Sequence, residues 1–295
     1  MRALFFGLKG FRRYLLNPLN PLDPGLALTI FGAGTVAGAL GVALGLGGGI
    51  FLVPFLTLAL GFPLKTAAAI SLSTVIATSS AVSARRAGNQ LINLRLGMVL
   101  EVATTVGSLL GGITVQYIAE STLQRLFGVV AAAVAFVMVG RINRRNVIAD
   151  PGAEPGRLGG RFYEEESGGV VTYRVRRLPL ALVASFVAGN VSSLLGIGGG
   201  IIKVPVLNVW CGVPLRAAAA TSALMIGVTA AASAPQYFAR GEINPPVAAA
   251  AVLGVLLGSR AGLLAGGRAR VKWLKLLMAC VLGAVSILYF KRAMG

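Results

Sequence analysis

The sequence predicts an all-α polytopic membrane protein, made of two tandem homologous helical repeats with glycine-broken half-helices. The first observation is composition, since 56% of the residues are apolar and only 12% are charged, whereas soluble domains carry about 25% charged residues. The second is that the apolar residues form segments of membrane-spanning length. The third is that the pattern of these segments recurs along the chain.

Five apolar segments occupy the first half of the chain: 26–46, 50–60, 64–85, 96–118 and 123–140. Four of them are long enough to cross a hydrocarbon core of about 30 Å. The second is not, because a helix over 50–60 would be only about 16 Å long. Glycine and proline residues that break helices flank it on both sides. We therefore expect a half-helix there.

The second half repeats this pattern with segments at 180–196, 201–211, 215–238, 246–266 and 272–290. A shift of 151 residues superposes the halves without a gap and keeps glycine and proline in register; Val53-Pro54 falls on Val204-Pro205, and Gly107 and Gly111 fall on Gly258 and Gly262. This register indicates an internal duplication. The paired small residues four apart suit close helix packing.

The number of crossings stays open between eight spanning helices with two re-entrant half-helices and ten spanning elements, which leaves about 8–10 membrane segments. That choice also decides whether the repeats are parallel or inverted. The domains expected are a basic amphipathic N-terminal segment at 1–25, a first transmembrane repeat at 26–141, a polar linker at 142–178 and a second transmembrane repeat at 179–292. Segment 1–25 is either an interfacial helix or a disordered basic start. In the linker, Arg161-Phe162-Tyr163 and 170–175 could pair as a hairpin; a plain solvated linker is the alternative.

The net charge of +18, from 27 basic and 9 acidic residues, would suggest nucleic acid in a soluble protein. Here basic residues that flank apolar segments explain it better, and no nucleic acid partner is expected. The N-terminal basic run, the linker and Lys291-Arg292 all favour the cytoplasm, as do Arg85, Arg86 and Arg95 if the short segments are re-entrant. Arg268, Arg270, Lys272 and Lys275 then fall on the outer side, against the positive-inside rule.

Composition also excludes several chemistries. The chain has no histidine and only two cysteines, Cys211 and Cys280, so neither a metal site nor a disulfide framework is expected. Acidic residues inside the apolar segments are too scarce for a carboxylate-lined cation path or for the Mg²⁺ site of a membrane transferase. No Walker motif is present. We therefore expect no cofactor, no metal and no enzymatic activity.

The candidate site lies in two glycine runs, Gly47-Gly48-Gly49 and Gly198-Gly199-Gly200, which open the two half-helices. Irregular backbone at membrane depth is tolerated only when it is buried in protein or lines a wet cavity. Paired broken helices indicate the substrate site of a transporter, and two helix N-termini that face each other would attract an anion. The alternative is that the glycines only allow tight helix packing.

Lys203, four residues into the second half-helix, is an intramembrane cation and a candidate anion ligand, with snorkelling to the interface as the alternative. Arg260 could bind an anion, pair with a carboxylate or snorkel. Neighbouring hydrogen-bond donors are Asn190, Ser192, Ser193, Ser71, Ser73, Thr74, Thr78, Ser79, Thr221 and Ser222. Each could instead be an interhelical packing group. Glu101 could carry a coupling proton, balance a cation such as Arg260, or lie at the interface.

The segments GLGGGIFLVP and GIGGGIIKVP, followed by GFPLKTAAAISL and GVPLRAAAATSA, resemble the two signature regions of the TauE/SafE family, often called sulfite exporters. The resemblance covers about 26–141 and 180–290. It implies a secondary transporter, an exporter of small anions such as sulfite, sulfoacetate or other organosulfonates, in the plasma (inner) membrane. A carboxylate transporter and a passive anion channel are the alternatives. The partners implied are the small inorganic or organic anion and membrane lipid, with a homodimer left open.

Overall fold

A computed structural model describes residues 23–44, 47–86, 91–140, 154–164, 169–265 and 271–294. The segment predicted at 1–25 lies almost wholly outside the described residues. The helices are α1 (Pro24–Leu44), α2 (Gly49–Pro54), α3 (Leu64–Arg86), α4 (Leu94–Thr114), α5 (Glu120–Gly140), α6 (Leu178–Leu195), α7 (Gly200–Val209), α8 (Leu215–Ala239), α9 (Pro245–Ala265) and α10 (Val271–Met294). A π-helical turn, Phe55–Ala59, extends α2, and a 3-10 turn, Val115–Tyr117, follows α4.

Among the described residues, seven helices are long and apolar enough to cross a membrane, and two shorter apolar helices span Gly49–Ala59 and Gly200–Val209. The prediction of an all-α polytopic membrane protein is confirmed. Each short helix lies where a glycine-broken half-helix was expected. Pro54 and Pro205 lie inside them, and since proline lacks an N–H, each interrupts the helical hydrogen-bond ladder.

The helices meet at two ends of the bundle, which we call the first end and the second end. At the first end the Leu64 amide donates to Glu120, Lys65 Nζ donates to the Gln116 carbonyl at 3.3 Å, and Arg292 Nη1 donates to the Thr57 carbonyl at 2.6 Å. The chain from α2 therefore returns to the end where α3 begins and α10 finishes.

At the second end, Asn93 just before α4 donates from Nδ2 to the Leu158 carbonyl at 2.8 Å. The Arg176 amide donates to the Cys211 carbonyl at 2.9 Å, which places the start of α6 beside the finish of α7. The linker thus lies at the second end, while Lys291 and Arg292 lie at the first. The expectation that the linker and the C-terminal basic residues share one side is wrong. Each half-helix returns the chain to the end where the preceding helix began, so each half makes an odd number of passes between the two ends.

The predicted hairpin forms at the second end. Strands β1 (Gly160–Glu164) and β2 (Gly169–Tyr173) pair antiparallel, with Phe162 opposite Val171. Phe162 and Tyr173 are buried, and the Tyr173 hydroxyl lies 3.1 Å from Asn93 Nδ2. Burial raises the pKa of Tyr173, so its hydroxyl stays neutral at physiological pH. The alternative of a plain solvated linker is therefore wrong for these residues.

Small residues bring two pairs of helices into close parallel contact. On α9, a Cβ at Gly262 would lie 2.5 Å from the Ala39 carbonyl oxygen of α1. On α4, a Cβ at Gly111 would lie 2.6 Å from the Asn190 carbonyl oxygen of α6. Gly111 lies 151 positions before Gly262, and Asn190 lies 151 positions after Ala39. The two contacts therefore correspond to each other with the halves exchanged. The predicted close packing of these glycines is confirmed.

The two contacts also fix helix directions. Helices α1 and α9 both run from the first end to the second, whereas α4 and α6 both run from the second to the first. An axis that exchanges the two pairs must therefore reverse direction across the membrane, which is the geometry of inverted repeats. Helices α2 and α7, α3 and α8, and α4 and α9 each begin 151 residues apart. The duplication itself stays a prediction from the sequence.

Candidate functional site

The two glycine runs meet at the centre of the bundle. Ser71 Oγ on α3 donates to the Gly196 carbonyl at 2.6 Å, and a Cβ at Gly49 would lie 2.5 Å from both the Gly196 oxygen and Ser71 Oγ. Gly47 and Gly198 have φ of 75° and 79°, the left-handed region that favours glycine. The glycine runs therefore combine close approach with a backbone that other residues would strain.

The other predicted glycines and serines are buried around this crossing. Gly48 packs on the backbone of α1 at Ala37, and Gly199 packs on α6 at Ala188 and Ser192. Gly200 begins α7. Ser222 is fully buried, and its Oγ has no hydrogen-bond partner among the described residues. The carbonyl equivalent to the acceptor of Ser71 belongs to Gly45, which lies outside the described residues.

Lys203 lies in a buried polar cluster one helical turn beyond the second glycine run, with only 2% of its surface exposed. Its Nζ donates to Thr229 Oγ1 on α8 at 3.0 Å and lies 3.7 Å from Glu101 Oε2 on α4. The Thr229 hydroxyl lies 2.8 Å from Glu101 Oε1. Three helices thus bring together the Lys203 cation, the Glu101 carboxylate and the Thr229 hydroxyl.

This arrangement decides between the alternatives for two charged residues. Lys203 does not snorkel to the interface, because it is enclosed and ion-paired. Glu101 is not interfacial; it lies seven residues into α4, about 10 Å from the helix start, and its side chain is 13% exposed. The cation that pairs with Glu101 is Lys203 rather than Arg260. Inside a medium of low dielectric such a pair is strongly coupled, and losing one partner leaves an uncompensated charge.

Two predicted residues lie away from the pair. Arg260 is exposed on α9, five residues before the helix finishes at the second end. Asn190 is half-buried where α6 crosses α4, and its backbone rather than its amide packs against Gly111. The structure therefore does not bring Arg260 or the Asn190 amide into contact with Lys203.

The charged pair exists in one half only. Under the shift of 151 residues, Lys203 corresponds to Leu52 and Glu101 to Val252, whereas Thr229 corresponds to Thr78. Leu52 is fully buried in an apolar core cluster. Two halves with closely corresponding helices thus differ at this buried ion pair, which is expected of a functional group rather than of packing.

The sequence analysis missed Thr229, although the shift maps Thr78 onto it. Thr78 belongs to the hydroxyl cluster named on α3, so the same shift could have identified its partner on α8. Within the described residues, no group of three or more His, Cys, Asp or Glu side chains could hold a metal ion. The chemistry that this site offers is therefore ion pairing, hydrogen bonding and proton binding.

Comparison with known proteins gives the family. Residues 30–289 match the family described as Sulfite exporter TauE/SafE. The chain is 24% identical over 256 residues to "Probable membrane transporter protein YunE" of Bacillus subtilis, covering 84% of this chain and 92% of that protein. It is 24% identical over 269 residues to "Probable membrane transporter protein MJ0441" of Methanocaldococcus jannaschii, covering 86% and 91%. No solved structure matches.

Proposed function

The chain belongs to the TauE/SafE family and is a multi-pass membrane transporter, and from that premise we propose that it is a secondary exporter of small sulfur-containing anions across the inner membrane. Sulfite, sulfoacetate and related organosulfonates are the substrate class. The observation that carries the proposal is the buried Lys203, whose amide donates to the Gly199 carbonyl of the second glycine run at 3.2 Å.

Lys203 supplies the positive charge that an anion needs at membrane depth. While Glu101 is ionised, the pair is neutral and Lys203 has a partner. Once a proton binds Glu101, that partner is neutralised and Lys203 can pair with an anion instead. Proton and anion then bind together, so each cycle moves one of each in the same direction. Net export follows when the anion gradient out of the cell exceeds the opposing pH gradient.

The glycine runs supply the second part of the proposal. Their backbone is irregular and buried, as in transporters whose broken helices bind substrate near the middle of the membrane. Inverted helix pairs allow the two halves to rock around this point and to expose it to each side in turn. Gly49 cannot gain a side chain here without separating the runs, because a Cβ there would lie 2.5 Å from the Gly196 carbonyl oxygen.

The test is uptake of radiolabelled sulfoacetate, sulfite and thiosulfate into proteoliposomes, with Lys203→Met and Arg260→Met as a matched pair of intramembrane cations. We expect saturable uptake and counterflow, a loss of at least tenfold in Lys203→Met, and little change in Arg260→Met because that residue is exposed. Folding is checked by gel filtration in detergent.

Three other outcomes would change the proposal. Uptake that survives Lys203→Met would leave only the glycine backbone as the anion site. Saturable uptake of carboxylates alone would select the carboxylate transporter. Ohmic flux without saturation or counterflow would select a passive anion channel.

A further inference from the structure

A row of polar side chains runs from the Glu101–Lys203 pair to the first end of the bundle. On α8 it comprises Thr229, Ser233, Gln236 and Arg240, whose spacing of four, three and four residues places them on one helix face. On α4 the facing positions are Glu101, Ser108 and Gly112. We call this the α4–α8 seam, which α6 borders with Ser193.

Contacts join the two helices along the whole seam. Ser108 Oγ donates to the Thr229 carbonyl at 2.7 Å. Further on, Gln236 Nε2 donates to the Leu109 carbonyl at 3.3 Å, and Arg240 Nη1 donates to the Gly112 carbonyl at 3.0 Å. Between Glu101 and Gly112 the seam follows α4 for eleven residues, which is about 16 Å of helix.

Buried polar atoms without hydrogen-bond partners concentrate in this seam, although some of them belong to ion pairs. Among the described residues, the buried side-chain atoms that lack a hydrogen-bond partner include, in or beside the seam, Glu101 Oε2, Ser193 Oγ, Gln236 Oε1, Arg240 Nε and Nη2, and Glu242 Oε2. In the same part of the chain, Ser83 Oγ, Ser192 Oγ and Ser222 Oγ lie elsewhere. Each such atom would cost about 1–3 kcal/mol if left dry, and buried water is how proteins satisfy such groups. The seam is therefore the part of the described bundle where water is most needed.

Gly112 makes room for the Gln236 side chain. A Cβ there would lie 3.2 Å from Ser193 Oγ and would overlap Gln236 Oε1. At the first end the seam opens beside the Arg240–Glu242 ion pair, whose atoms lie 3.4 Å apart and whose side chains are 22% and 20% exposed. In the other half, the positions equivalent to Ser192 and Ser193 are Gly41 and Val42, which lack polar side chains.

We infer that the α4–α8 seam is a water-filled path that carries protons between the first end and Glu101. Protons move between the Arg240–Glu242 pair and Glu101 Oε2 through waters held by Gln236 and Ser193, with no bond broken in the protein, and during export they leave at the first end. This inference rests on the proposed coupling at Glu101, and it adds the route and its entrance.

The first experiment tests hydration without any substrate. In a Cys211→Ala/Cys280→Ala background, Ser193→Cys is compared with Leu195→Cys, a fully buried position in the apolar core cluster near the same end of α6. We expect a small, membrane-impermeant methanethiosulfonate added at the first end to modify Ser193→Cys at least tenfold faster than Leu195→Cys. Equal, slow modification of both in a folded protein would overturn the hydrated path.

The second experiment tests proton movement. Sulfoacetate uptake is followed together with internal pH, because a sulfonate carries no proton of its own at neutral pH. We expect Gln236→Leu and Gly112→Ala to slow proton-coupled uptake at least fivefold, while substrate exchange, which needs no net proton movement, stays within twofold. Thr114→Ala is the control, since Thr114 is exposed on the same helix and bonds only to its own helix.

The outcomes separate the two proposals. Unchanged proton uptake in Gln236→Leu would overturn the proton path even if Ser193→Cys is labelled. Loss of exchange together with proton uptake would mean that the seam carries the substrate, which also overturns it. A wild type that moves none of the tested anions, but whose Ser193→Cys is labelled, would remove the proposed substrate class and leave the hydrated path standing.

Discussion

At the scale of single residues, Lys203 and Glu101 form an ion pair inside the helix bundle, where an unpaired charge would be costly. Both are enclosed by helices α4, α7 and α8, and Thr229 bonds to both. A buried pair adds little net stability, but removing one partner is expensive because the other charge remains buried. The two side chains should therefore behave as one energetic unit.

We predict strong coupling in a double-mutant cycle. Lys203→Met should lower the free energy of unfolding by about 3–5 kcal/mol, and Lys203→Met/Glu101→Gln should lose less than the sum of the single variants by about 1–3 kcal/mol. Unfolding is measured by SDS titration in mixed micelles.

The Arg240–Glu242 pair is the control cycle. It is also an ion pair, but it is partly exposed, so its coupling should stay below about 1 kcal/mol. Additive effects at Lys203 and Glu101 would contradict the pairing itself.

The sequence identified both charges but not their pairing. Lys203 and Glu101 were each conspicuous as charges in apolar segments, which local pattern alone can reveal. Their contact joins positions about a hundred residues apart, through two helices whose relative rotation depends on packing throughout the bundle. Arg260 shows most clearly that local pattern does not predict burial, since its segment is as apolar as that of Lys203 and yet the residue is exposed.

At the scale of secondary-structure elements, glycine positions determine which helices lie together. A Cβ at Gly258 would overlap the Thr35 carbonyl oxygen on α1, and a Cβ at Gly107 would overlap the Phe186 carbonyl oxygen on α6. The sequence predicted close packing from the four-residue spacing of these glycines. The sequence could not identify the partner helices, because glycine spacing predicts that another helix packs closely but does not predict which helix.

We predict that Gly258→Ala and Gly107→Ala each lower the free energy of unfolding by about 1–3 kcal/mol, the usual cost of overpacking. Gly32→Ala and Gly283→Ala are matched controls in helices, since nothing lies within 4 Å of a Cβ at either position. There alanine should be neutral or stabilise by up to about 1 kcal/mol. The midpoint of SDS-induced unfolding checks all four variants, and equal losses at all four positions would contradict the packing argument.

At the scale of the whole molecule, basic residues give the bundle its orientation. Positions at the second end include Arg86, Arg95, Arg157, Arg161, Arg174, Arg176, Arg177, Arg216 and Lys272. Those at the first end are, among the described residues, Lys65, Arg125, Arg240, Lys291 and Arg292. The positive-inside rule therefore places the second end in the cytoplasm. Lys272, which conflicted with that rule when linker and C-terminal residues were placed together, now agrees with it.

This orientation predicts opposite labelling of two exposed tyrosine positions. Tyr163 in the hairpin is 62% exposed at the second end, and Tyr117 beside α4 is 80% exposed at the first end. In a Cys211→Ala/Cys280→Ala background, an impermeant maleimide added to intact cells should modify Tyr117→Cys and should reach Tyr163→Cys only after permeabilisation. The reverse pattern would invert the orientation and place the entrance of the α4–α8 seam in the cytoplasm. Labelling of both from one side would contradict the odd number of passes in each half, and with it the inverted arrangement on which alternating access at the glycine crossing depends.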